Sequence, residues 1–187
     1  MIEQKFETNV IYDNLKKESN LSEENLDQIV KDIKRTYFPA YHRQKDLEEQ
    51  GMRTKEEELE MVRCGTESEL MRQQTQSILV AYNSQDPKIG YVQGFNSIVG
   101  AILYIFHQAK EEIDKNGQVP AIDYKLDFSE EEVFYTFYGL MTLLGWRERF
   151  FDGMSDIGKM CDDFSVRMKK EDPALYKKFF DNQVMSI

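Results

Sequence analysis

Two side chains in this 187-residue chain have the type and setting to do chemistry. Arg35 is next to last in the stretch Ile29-Val30-Lys31-Asp32-Ile33-Lys34-Arg35-Thr36, and Gln93 sits in Gly90-Tyr91-Val92-Gln93-Gly94-Phe95-Asn96. A guanidinium is permanently charged and presents a fork of N–H donors. A primary amide both donates and accepts. Each held by its own helix, such a pair could complete a catalytic site borne by another protein.

Each residue also has an ordinary explanation. An arginine near a helix C-terminus is usually a solvated side chain that favours the helix dipole. Asp32 lies one turn earlier, so it can pair with Arg35 and orient it. Gln93 stands between two glycines just before an apolar helix, where free N–H groups and displayed side chains serve recognition. Gly94 removes a side chain beside it and permits close approach. A glutamine that only bonds the backbone of its own turn fits equally well.

The elements that must hold these residues read as helices throughout. Ser22 is an N-cap before Glu23 and Glu24. Leu26, Ile29, Val30, Ile33 and Tyr37 follow at helical spacing. This helix ends near Arg35-Thr36, ahead of Pro39. Residues 41–65 are dense in charge and are expected to form a surface insertion. Thr66 and Glu69 suggest a capping box opening a helix with Leu70, Gln74, Ile78 and Ala81 on one face. Asn83-Ser84-Gln85-Asp86-Pro87 is a loop signal, closed by Gly90.

A strongly apolar helix is predicted from about Gly94 to Gln108, then a loop over 114–127. Ser129 and Glu132 suggest a second capping box, opening a helix with Val133, Phe134, Phe137, Leu140, Met141 and Leu144, capped by Gly145. The aromatics Phe134, Tyr135, Phe137, Tyr138, Trp146, Phe150 and Phe151 read as core. Helices near 156–170 and 173–182 follow, the second with Pro173 in its first turn. No strand alternation and no internal repeat appears, so the expected fold is all-α, in one domain over 1–187.

Composition narrows the function classes. The chain is 41% hydrophobic with only 4 prolines, enough to build a helical core. Its formal net charge of −10 argues against nucleic-acid binding and against a polybasic membrane patch. No apolar run reaches the ~20 residues of a membrane span. Cys64 and Cys161 are too few for a disulfide framework and form no C-x-x-C pair, so a reducing, cytosolic setting and no metal are expected. There is no G-x-x-x-x-G-K-S/T and no G-x-G-x-x-G, so no nucleotide cofactor of its own is expected. His42 and His107 are isolated, and no nucleophile–base constellation is visible.

Ile29, Asp32, Arg35 and Thr36 form I-x-x-D-x-x-R-T, which resembles the arginine motif of the TBC domain of Rab GTPase-activating proteins. Gly90, Tyr91, Gln93 and Gly94 form G-Y-x-Q-G, which resembles that family's glutamine motif, in the right order. Ile78 to Tyr82 with Pro87, Glu132-Val133-Phe134 and Asp172 to Tyr176 resemble its flanking features. The resemblance implies an all-helical domain that binds a Rab-type small GTPase in its GTP-bound state and speeds hydrolysis, a role in vesicle trafficking. By position, Arg35 would be an arginine finger and Gln93 a glutamine finger acting in trans.

Asp32 would orient Arg35, and Tyr91 and Gly94 would shape the glutamine turn. Ile29, Thr36 and Asn96 would complete the support or the GTPase contact. GTP and Mg²⁺ would belong to the partner. Membrane association would come through the GTPase, with no direct insertion. Against the family pattern, the chain lacks the opening L-R-x-x-x-W type segment and, ending at Ile187, much of the C-terminal subdomain. The alternative is a catalytically inactive TBC-like scaffold in a larger assembly, with further subunits covering the trimmed ends.

Overall fold

The computed structural model describes residues 11–17, 21–51, 54–116, 129–150 and 155–181. Among them every regular element is helical: α1 (within 11–17), α2 (Glu23–Arg35), α3 (Pro39–Gln50), α4 (Lys55–Gln85), α5 (Phe95–Asn116), α6 (Glu130–Leu143), a 3₁₀ turn (Arg147–Phe150), α7 (Ser155–Glu171) and α8 (Pro173–Asp181). The expected all-α class is therefore the observed one. None of the described helices is long and apolar enough to cross a membrane. Two compact units divide the chain, Met1–Met141 and Thr142–Ile187.

In the first unit, α2 starts and stops on local signals. The Ser22 hydroxyl accepts the Asn25 N–H at 3.2 Å, Glu23 and Glu24 sit in the positive first turn, and Thr36 leaves the helix in extended conformation. The buried face differs from the expected one. Ile29, Asp32 and Ile33 are buried, while Leu26 and Tyr37 are exposed. Asp32 can take a core position because it finds hydrogen-bond donors there, as buried charges must.

Residues 41–50 lie in α3 and 55–65 in the opening turns of α4, where Leu47 and Cys64 are buried. Arg43 joins the two helices through a fork to Glu60 at 3.0 and 3.2 Å. The capping box predicted at Thr66 and Glu69 is not a helix start. Thr66 lies inside α4 and donates to the Val62 carbonyl. The box forms upstream, where Thr54 accepts the Glu57 N–H and Glu57 accepts the Thr54 N–H.

The buried stripe of α4 runs through Cys64, Ser68, Met71, Thr75, Ile78 and Tyr82 rather than Leu70 and Gln74. Ser68 and Thr75 disguise that stripe, because their hydroxyls bond to carbonyls of their own helix and so tolerate burial.

An aromatic cluster joins α4, α5 and α6. Tyr82 meets Phe95 and Phe137 edge-on at 5.6 and 4.9 Å, and Phe95 meets Phe137 at 5.5 Å. Helix α5 runs on through 114–116, and most of the loop predicted for 114–127 lies outside the described residues. The Tyr12 hydroxyl of α1 donates to Glu130 at the start of α6, 2.7 Å away. At Gly100 an added Cβ would lie 3.1 Å from Thr36 Cγ2 and 3.4 Å from Phe38 Cε1. The missing side chain lets α5 press against the junction of α2 and α3.

In the second unit, Gly145 follows α6 with φ +64, the left-handed conformation expected of a helix-ending glycine. Asp172 caps α8 by accepting the Leu175 N–H at 2.9 Å, with Pro173 in the first turn as expected. Leu144 and Trp146 are exposed rather than core, as is Leu143 at the end of α6. Phe151 lies outside the described residues.

Candidate functional site

The arginine stretch and the glutamine stretch meet through one buried carboxylate. Asp32 is on the inner face of α2 with its side chain only 2% exposed, and its Oδ1 takes a bond from Gln28 Nε2 at 3.0 Å and pairs with Arg35 Nη2. Its Oδ2 accepts from the Tyr91 hydroxyl at 2.8 Å. Arg35 lies one turn past Asp32 at the helix end, so the guanidinium can reach back while its side chain stays 64% exposed. The helix thus holds the arginine by one nitrogen and presents it outward.

Burial alone would raise the Asp32 pKa. The hydrogen bonds from Gln28, Tyr91 and Arg35, with the positive charge of Arg35, outweigh that and hold it below its ordinary value. Tyr91 is shifted the opposite way, by burial and by its bond to the anionic carboxylate, so its hydroxyl remains a proton donor.

The glutamine stretch is a wound turn. The Gly90 N–H reaches back to the Asp86 carbonyl at 2.8 Å, and the Phe95 N–H to the Val92 carbonyl at 3.1 Å. Gly94 has φ +105, a conformation that side-chain-bearing residues rarely adopt, and space around it is open. Gln93 and Gly94 are both exposed. Asn96, in the first turn of α5 and buried, accepts the Gly94 N–H at 3.1 Å through Oδ1. Its Nδ2 donates to the Asp32 carbonyl at 3.2 Å and to Thr36 Oγ1 at 2.7 Å. Thr36 Oγ1 in turn donates to the Asp32 carbonyl at 2.9 Å.

Of the residues singled out in the sequence, Asp32, Arg35, Thr36, Tyr91, Gly94 and Asn96 therefore share one hydrogen-bonded cluster. Gln93 stands at its edge with its side chain exposed, and Ile29 is fully buried beneath α2 as packing. Gln28 belongs to the cluster and was not anticipated. Its spacing of four from Asp32 on one helix face is the signal that could have found it.

A cleft of about 850 Å³ lies beside the same turn, lined among others by Ser22, Asn25, Asn83, Gly90 and Tyr91. Neither Arg35 nor Gln93 lines it. Among the described residues no three His, Cys, Asp or Glu side chains are grouped as metal ligands would be. The arrangement can present a charged donor and an amide to a molecule that brings its own reactive group.

Comparison with curated proteins and with solved structures gave no match. A family model described as the Rab-GTPase-TBC domain (RabGAP-TBC) matches residues 2–187. The helical architecture and the near-complete span of that match lead to one conclusion: this chain belongs to the Rab-GTPase-TBC domain family.

Proposed function

We propose that this chain is a GTPase-activating module for a Rab-type small GTPase, with Arg35 and Gln93 entering the partner's nucleotide site. The observation that carries this reading is that both side chains are exposed while the backbone beneath them is pinned by the Asp32–Tyr91–Asn96 cluster, in which Asp32 and Asn96 are buried. Phosphoryl transfer demands positioning and charge stabilisation rather than covalent chemistry from the protein. Arg35 would neutralise charge developing on the γ-phosphoryl group, and Gln93 would orient the attacking water. GTP and Mg²⁺ would come with the GTPase, and the module would need no cofactor. It would work in the cytoplasm and reach membranes only through its partner.

The test is GTP hydrolysis by a panel of GTP-loaded Rab-type GTPases with and without the protein. At least one should be accelerated, and Arg35→Ala should remove roughly 10³–10⁵ of that acceleration. Gln93→Ala should also abolish most of it, with far-UV circular dichroism unchanged for both variants. Full activity in both variants would refute the roles of Arg35 and Gln93, and no acceleration across the panel would leave the rival scaffold role as the better account.

A further inference from the structure

The Asn96 side chain bonds both stretches at backbone level. It takes an N–H from the residue after Gln93 and gives N–H groups to a carbonyl and a hydroxyl at the end of the arginine helix. Its amide orientation is fixed from both ends. The Gly94 N–H requires an oxygen on one side, and the Asp32 carbonyl requires a donor on the other. The carboxamide is buried, so it is not itself a surface that a partner reads. Gly100 keeps α5 close enough to α2 for this bridge to span the gap.

We infer that Asn96 is a positioning residue that locks the two finger-bearing segments into one unit, so that neither Arg35 nor Gln93 is set independently of the other. This rests on the reading of Arg35 and Gln93 given above. The substitution Asn96→Asp is the sharpest probe of it. It keeps shape and the acceptor for Gly94, but it replaces the donor that faces the Asp32 carbonyl and Thr36 with an acceptor. Oxygen would then face oxygen, beside an already anionic Asp32. Thr36→Val removes the hydroxyl that receives from Asn96 while leaving the glutamine turn untouched in sequence.

Two measurements test the lock, one of them independent of any GTPase. Amide hydrogen exchange, followed residue by residue, should show the Gly94 N–H exchanging about tenfold faster in Asn96→Ala. A rise of a few-fold should appear in Thr36→Val, although that change lies on the other segment. A Gly94 amide unmoved in either variant overturns the lock even if the protein is an active GTPase activator.

In the hydrolysis assay, Asn96→Asp should lower kcat by roughly 10²-fold, the scale of misplaced catalytic groups, with the half-saturating GTPase concentration changed by less than about threefold. Added to Gln93→Ala, it should cost less than the product of the two single effects, because part of its effect acts through Gln93 and only the part acting through Arg35 remains. Raised half-saturation with unchanged kcat would make Asn96 a contact residue and overturn the assignment. If wild type accelerates no GTPase, the functional reading falls, and the exchange data alone decide the lock.

Discussion

Tyr91→Phe removes the hydroxyl that carries one stretch onto the other, and with it a second contact, to Asn96 Oδ1 at 3.2 Å. The change keeps the ring and deletes a hydroxyl that donates to Asp32 Oδ2 at 2.8 Å. Gln28 and Arg35 both address Oδ1, so among the described residues Oδ2 loses its donor. A hydrogen bond to a charged group contributes about 1.5–3 kcal/mol, and a buried carboxylate left short of donors bears most of that loss. Tyr91 is half-buried, so water can partly take the hydroxyl's place, which points to about 2 kcal/mol. In a chain of this size that corresponds to a fall in Tm of roughly 4–8 °C.

The pH dependence has a definite sign. The folded-state pKa of Asp32 is depressed. Its contribution is therefore full above the unfolded value of ~3.9 and is lost as pH falls through the lower folded value. The gap between wild type and Tyr91→Phe should be widest near neutral pH and narrow in acid. Urea unfolding at neutral and acid pH measures it. A difference below ~0.5 kcal/mol at neutral pH, or one that widens in acid, would refute the claim that Tyr91 secures a buried anion.

Gln93→Ala should leave stability within ~0.5 kcal/mol by chemical denaturation, as expected for an exposed side chain without a packing role. Gly94→Ala should cost roughly 1–2 kcal/mol in the same assay, since φ +105 strains any side-chain-bearing residue although the space is open. Thr54→Ala should cost about 1 kcal/mol by removing the hydroxyl that accepts the Glu57 N–H, while the bond from the residue-54 backbone N–H to the Glu57 carboxylate can persist, seen as a lower denaturation midpoint. Phe137→Ala empties the centre of the aromatic cluster and should cost about 3–5 kcal/mol, read by thermal melting.

What was legible in the sequence was whatever local chemistry decides. Ser22 and Pro39 bracket α2, Pro173 marks the start of α8, and Gly145 ends α6, because caps and backbone restrictions act over a few residues. The arginine and glutamine stretches were visible as motifs. Their joining was not. Asp32 reads as a partner for Arg35 one turn away, but its burial depends on Tyr91 and Asn96 arriving from another helix entry, and no periodicity encodes that meeting. The true face of α4 was hidden for a similar reason. Ser68 and Thr75 look polar in sequence but satisfy their hydroxyls within the helix and turn inward.

The tether between Arg35 and Asp32 also changes when conformational freedom is lost. A free arginine side chain carries about 2 kcal/mol of rotamer entropy, which binding would ordinarily have to remove. Here the guanidinium is already confined by a buried carboxylate while most of its surface faces outward. That part of the ordering is completed during folding, before any partner arrives. Releasing the tether, as in Asp32→Asn, would therefore weaken association even though Asp32 itself is buried out of a partner's reach.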